Sequence, residues 1–231
     1  MTGAGSWNKS PTFSRTARHK RVHYERIAQD VRRLVPGPET RLVDYGCGEA
    51  MSADQVAAAC GQLVLCDSAL TVRQRLEARY ADRDNIDVIS PEAFEALPSG
   101  AVDMIIVNSV VQYLSRAEFA RLLRVWTEKL RPHGQLVLAD IVPPNVSPYA
   151  DALQLLKFAA ANGFAVAALS GLVRSYFSDY RQVRAGLGFL QLSEVEVLNA
   201  MAEVGLLARR HHPNIGHNAR RMTFIGVVQV A

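Results

Sequence analysis

No stretch of this sequence is both long and apolar enough to span a bilayer. The longest uncharged, mostly apolar run is Phe158 to Val173, 16 residues broken by Asn162, Gly163, Ser170 and Gly171, where a spanning helix takes about 20. Cysteine is scarce. Cys47, Cys60 and Cys66 are odd in number and show no CxxC spacing, which argues against a disulfide framework and against a zinc knuckle. Free thiols in a reducing compartment, hence a cytoplasmic protein, are the expectation. No apolar stretch precedes the first basic residues, so no secretory signal is read. With 15 Gly and 10 Pro in 231 residues, collagen-like and low-complexity chains are excluded, and no internal repeat shows.

What is present is ordinary for a globular protein: 49% apolar and 21% charged residues, enough to bury a core in one domain. The net charge of +4 is concentrated near the start, where residues 1–40 hold eight Lys/Arg against three Asp/Glu. A flexible basic arm over 1–20 and a single domain over 21–231 are expected. Such an arm can meet an anionic substrate, nucleic acid or a membrane surface, or can simply be solvated.

The apolar spacing predicts a helix over 21–34 that ends before Pro36-Gly37-Pro38. A ladder follows: a strand at 41–45, a helix at 51–60, a strand at 62–66, a helix at 69–80 and a strand at 86–90. Next come a short helical piece near Phe94, a strand at 102–107, a helix at 116–129 and a strand at 135–141. Strands separated by helices at this spacing signal βαβ units and a parallel sheet with helices on both faces. Ser193 and Glu196 have capping-box spacing ahead of an apolar run that ends at Gly205. Two further strands, 206–210 and 222–230, read as an antiparallel hairpin at the sheet edge. Residues 149–190 are mixed and largely helical in pattern, and are expected to form a cap over the strand ends.

The informative segment lies between the first strand and the next helix: Asp44-Tyr45-Gly46-Cys47-Gly48-Glu49-Ala50. Two glycines let backbone approach a ligand where a Cβ would clash. Met51 occupies the sixth position from Gly46, so the Gly-x-G-x-x-Gly dinucleotide fingerprint fails, and no Gly-x-x-x-x-Gly-Lys phosphate loop is present. Asp67 closes the second strand, 19 residues after Gly48. A carboxylate there can accept both hydroxyl protons of a ribose.

In order, spacing and character, VDYGCGEA, LVLCD, VDMIIVNSVVQYL and LRPHGQLVLADI resemble motifs of the class I S-adenosylmethionine-dependent methyltransferases. The similarity runs over roughly residues 38–141. It implies an α/β, Rossmann-like, doubly wound and mainly parallel seven-stranded sheet with a terminal antiparallel strand. It implies S-adenosylmethionine as cofactor, with Gly46, Cys47 and Gly48 bending over the methionine portion. By the same resemblance Asp44 helps hold the amino group, Asp67 and the adjoining Ser68 meet the ribose, and Asn108 lies beside the sulfonium. Ala50 stands where the family has a third Gly. No Asp follows the third strand toward the adenine, which leaves Ser90 or Glu92 for that contact. The absence of an Asn-Pro-Pro-Tyr motif argues against amino-methylation of bases or glutamine amides. The Cys47 and Cys66 thiols themselves read as packing groups.

For the acceptor, geometry selects residues just beyond the fourth and fifth strands or on elements folding over them. Tyr113 and Asp140 are the candidates from the strand ends, Tyr113 as a catalytic as well as a substrate-binding residue. Arg174 and Arg181, on the expected cap, would hold an anionic part of the substrate. His217, at the tip of the terminal hairpin, is the candidate base because its unperturbed pKa suits proton transfer near neutrality. The expected acceptor is a small-molecule, glycan or lipid-linked group methylated at oxygen or nitrogen rather than carbon. Nucleic acid is disfavoured as a partner, and peripheral membrane contact and a homodimer stay open. His211, His212 and His217 lack partners at ligand spacing, so no metal site is read. The alternative is an S-adenosylmethionine-binding subunit without catalysis. Aminopropyl transfer is disfavoured, because no acidic cluster for a polyamine follows the fourth strand.

Overall fold

The computed structural model describes residues 22, 24–144, 190–216 and 218–229. The arm over 1–20, the cap expected over 149–190 except its last residue, with Arg174 and Arg181, and His217 lie outside the described residues. Among the described residues no helix is long and apolar enough to cross a membrane.

Seven strands form one sheet in the order β3-β2-β1-β4-β5-β7-β6. They are β1 (Arg41–Tyr45), β2 (Gln62–Cys66), β3 (Ile86–Ile89), β4 (Val102–Asn108), β5 (Leu130–Ile141), β6 (Leu206–His211) and β7 (Met222–Val228). The first five strands pair in parallel, and β7 runs antiparallel to both β5 and β6. The central strands are near-continuous apolar runs because both their faces are covered. Period-two alternation divides them between two cores. Leu42, Leu63, Leu65, Met104 and Ile106 face a first helical layer; Val43, Tyr45, Val64, Ile105 and Val107 face a second.

The first layer holds α1 (24–32), α2 (Ala53–Ala57) and α3 (Leu70–Tyr80), with Val31, Val56 and Leu76 buried. The second holds α4 (Pro91–Glu95), α5 (Arg116–Lys129) and α6 (Glu194–Glu203), with Phe94, Trp126 and Val197 fully buried. Capping boxes at Ser115–Glu118 and Ser193–Glu196 set the starts of α5 and α6, as the spacing at 193–196 predicts. The chain begins in the middle of the sheet, steps outward to β3, then crosses back to β4. The switch point therefore falls between the carboxyl ends of β1 and β4, where ligands enter open α/β sheets.

The sheet and helix layers are those the sequence predicts, with two main local differences. The helix expected over 51–60 is cut to Ala53–Ala57, because the preceding turn extends through Ala50 and the chain loosens into turns after Ala57. Strand β5 begins at Leu130 rather than 135: Leu130 pairs with Val102, residues 131–134 loop out, and pairing resumes at Gln135 opposite Met104. The antiparallel hairpin forms at the sheet edge as expected, with β6 outermost and β7 between β5 and β6.

Trp126 centres the second core, and its ring meets Tyr45 edge-on at a centroid distance of 5.3 Å. Its indole N–H is buried without a hydrogen-bond partner among the described residues. Replacing Trp126 by Ala is expected to cost about 3–5 kcal/mol in urea unfolding. Phe should cost clearly less, because it also removes a desolvated donor whose burden is about 1–3 kcal/mol. Equal losses for the two variants would contradict this account.

Candidate cofactor and acceptor site

The turn after β1 is fixed from the neighbouring strand. The amides of Gly46 and Cys47 both donate to the Cys66 carbonyl, at 2.7 and 3.1 Å. Gly46 and Gly48 take φ of 75° and 58°, where a Cβ is strained. A Cβ on Gly46 would also lie 2.3 Å from Val110 Cγ2. The loop after β4 thus presses directly on the turn, and only glycine fits between them. Ala50, where a third glycine was expected by resemblance, holds φ 36°.

Asp67 lies against this turn. One carboxylate oxygen accepts from the Gly48 amide at 3.0 Å and the other from the Ala69 amide at 2.8 Å. Each oxygen of a carboxylate has two acceptor directions. One direction per oxygen orients the group, and no hydrogen bond among the described residues takes the second. Ser68 follows Asp67 and is exposed.

Asp44 occupies the end of β1 beside these groups. Burial, reinforced by the negative charge of Asp67, pushes its carboxyl up to about 7. Burial likewise raises Cys47, and raises Cys66 to about 12, so both thiols are inert packing groups at neutral pH. Tyr24 was not singled out from the sequence. Its hydroxyl would lie 3.5 Å from a Cβ on Gly48, and it hydrogen-bonds the backbone of Glu49. Helix α1 thereby covers the turn from outside the sheet.

Toward the adenine side implied by the resemblance, Ser90 caps α4 by accepting from the Ala93 amide at 3.3 Å. Glu92 is solvent-facing, and its hydrogen bond with Ser90 holds its carboxyl below the usual range.

Beyond β4 and β5 the backbone is strained. Ser109 and Asp140 both hold φ 59°, a region that side chains other than Gly rarely adopt and that clusters at functional sites. The Ser109 hydroxyl donates to Asp140 at 2.8 Å, and the Asp140 amide donates to Asn214 Oδ1 at 3.3 Å. Asn108 Oδ1, one residue before Ser109, is a buried acceptor with no hydrogen-bond partner among the described residues. Arg221, buried at the start of β7, donates to Gln112 Oε1 at 3.0 Å. Tyr113 ends the short turn Val111–Tyr113 and is exposed. Asp44, Gly46, Cys47, Gly48, Asp67 and Asn108 are thus brought around one switch point, with Tyr113 and Asp140 along the adjoining edge. Ser90 stands off at the β3 side. Tyr24, Asn214 and Arg221 are additions that no local pattern announced; Gln112 follows the fourth strand beside Tyr113, but its pairing with Arg221 is not a local signal. Among the described residues, no group of three or more His, Cys, Asp or Glu gathers as a metal site.

Residues 43–138 match the family described as methyltransferase domain, the span from β1 through β5 that builds the switch point. The fold is shared widely among solved structures. The complex of the Haloferax volcanii Trm112 methyltransferase activator with a methyltransferase aligns at 14% identity and TM-score 0.60, covering 94% of each chain. The YcgJ protein of Bacillus subtilis aligns at 11% identity and TM-score 0.59, over 90% of this chain and all of that one. Magnesium protoporphyrin IX methyltransferase from Synechocystis PCC 6803, solved with S-adenosylhomocysteine, aligns at 14% identity and TM-score 0.59 over 100% and 90% of the two chains. No curated protein matches the sequence. Residues 43–138 are thus a methyltransferase domain, set in the class I S-adenosylmethionine-dependent fold, and its cofactor is S-adenosylmethionine.

The raised Asp44 gives a pH signature. The folded protein keeps this proton up to about pH 7, whereas the unfolded chain releases it near 4. The unfolded state therefore binds fewer protons across that window, and this group's contribution to stability falls as pH rises through it and is flat above. Asp44→Asn should remove that decline from urea midpoints measured between pH 5 and 8 without cofactor. An unchanged pH slope in Asp44→Asn would exclude Asp44 as its source.

Proposed function

We propose that this chain transfers a methyl group from S-adenosylmethionine to oxygen or nitrogen of a small-molecule, glycan or lipid-linked acceptor. The observation that carries the reading is the Asp67 carboxylate, held by the Gly48 and Ala69 amides so that both oxygens keep an acceptor direction at the switch point. When bound, the cofactor supplies an activated methyl on a sulfonium. The residues present suit such a group. Asp44 is a buried carboxyl destabilised as an anion, which a ligand ammonium would relieve. Asn108 Oδ1 is a buried acceptor without a partner among the described residues, suited to the partly positive atoms around a sulfonium.

In this reading Gly46, Cys47 and Gly48 give backbone contact to the methionine portion. Asp67 and Ser68 hold the ribose side, and Ser90 borders the adenine. The protein then has to orient the acceptor and exclude water. Tyr113 and Asp140, at the ends nearest β4 and β5, orient the acceptor; Arg174 and Arg181 hold its anionic part; His217 takes the proton. Oxygen or nitrogen is favoured over carbon because the candidate groups, Asp140 and His217, are proton acceptors.

Asp67→Ala should weaken S-adenosylhomocysteine binding by roughly 10- to 150-fold, the worth of a charged hydrogen-bond acceptor. Calorimetry giving wild-type affinity in the folded variant would remove Asp67 from the site. Pooled metabolites, sugars and lipid-linked intermediates supplied with labelled methyl donor should yield a methylated product. With that acceptor, His217→Ala should lose more than about a hundredfold in turnover at unchanged cofactor affinity. Wild-type turnover would end the base assignment. Cofactor binding with no acceptor turned over would favour the subunit without catalysis.

A further inference from the structure

Helix α3 lies apart from the acceptor edge, yet side chains at both of its ends reach the two loops that flank the switch point. Near its start, Arg73 Nη1 donates to the carbonyls of Asp67 and Ser68, at 2.8 and 2.9 Å. At its end, Arg79 donates to the carbonyl of Glu49. The neighbouring Tyr80 hydroxyl donates to the Ala50 carbonyl at 2.5 Å and accepts from the Ala53 amide at 3.3 Å.

These bonds fall on particular peptide planes. The Ser68 carbonyl and the Ala69 amide belong to one peptide group, and that amide orients Asp67 Oδ1. Holding the carbonyl therefore holds the donor that aims the carboxylate. On the other loop, Arg79 and Tyr80 fix the peptide groups on either side of Ala50, whose φ of 36° is unfavourable for a residue with a Cβ. An arginine near a helix start also opposes the helix dipole. Arg73 is therefore poorly explained as a contribution to α3 itself and well explained by the carbonyls it binds.

We infer that α3 is a brace for the cofactor cradle: Arg73 is a positioning residue for the Asp67 carboxylate, and Arg79 with Tyr80 positions the glycine turn. The inference rests on the reading that the ribose meets Asp67 and the methionine portion meets Gly46–Gly48. It extends that reading to residues outside the matched motifs' glycine and acid positions.

Two probes separate the ends of the brace in calorimetry on the full chain. S-Adenosylhomocysteine spans both loops, whereas 5′-methylthioadenosine lacks the amino-acid portion. Arg73→Gln should weaken both probes about tenfold, the effect of one charge-assisted hydrogen bond. Arg79→Gln should weaken S-adenosylhomocysteine by a similar factor and leave methylthioadenosine within about twofold. A merely structural role predicts equal losses for the two probes in both variants, and that result overturns the brace, as does wild-type affinity for both probes in Arg73→Gln. Asp67→Ala tests the underlying placement. If it binds both probes like wild type, the placement itself is wrong; if it loses affinity while Arg73→Gln does not, only the brace fails.

Discussion

Everything in this molecule depends on keeping water from both faces of the central parallel strands. β1, β2 and β4 carry almost no polar side chain between their ends, and Leu42, Val43, Leu65, Ile105 and Val107 are fully buried. A sheet of that kind is stable only between two helical layers. Once both layers are in place, the strand ends are the remaining positions where polar groups can gather. The chemistry of the chain is accordingly confined to one rim. Asp44, Asp67, Asn108 and Asp140 each sit at or just beyond the end of a strand.

The rim is where the fold tolerates what its interior does not. Backbone left-handedness at Gly46, Gly48, Ala50, Ser109 and Asp140 falls in the loops after β1 and β4 and at the carboxyl end of β5. The unfavourably buried carboxyl of Asp44 and the lone acceptor of Asn108 are in the same place. Costs of this kind persist only when the surroundings over-determine them. Here those surroundings are the Cys66 carbonyl, the Val110 side chain and the Tyr24 hydroxyl packed around the glycine turn.

How far the sequence could be read follows the range of the forces involved. β1, β2 and α5 are found at the bounds their residues predict, since apolar periodicity and a capping box are local signals. Asp67 was legible because strand and acid are adjacent. The helix after the glycine turn was drawn too long, because Ala-rich composition favours helix while the turn consumes its first residues. Gln112 and Arg221, 109 residues apart, meet only through the order of strands, and Tyr24 meets Gly48 only because α1 docks on the first layer. The rim beside β5 was least legible for the same reason: its contacts come from β4, β5 and the loop before β7, segments far apart in sequence.

The strand order also has a consequence for assembly. β7 lies between β5 and β6, so β6 has no place in the sheet until β7 has been synthesised. As the chain leaves the ribosome, five strands can already be paired while the outer edge of β5 stays open. Strand β6 and helix α6 must wait beside it. An exposed β5 edge is a template for pairing with another chain, and non-local pairings of this kind are slow to form. The single reversed strand is thus a latch that closes late in synthesis. Until it closes, the rim beyond β5 lacks Arg221, and the nascent protein carries a nearly complete glycine turn beside an unfinished sheet edge.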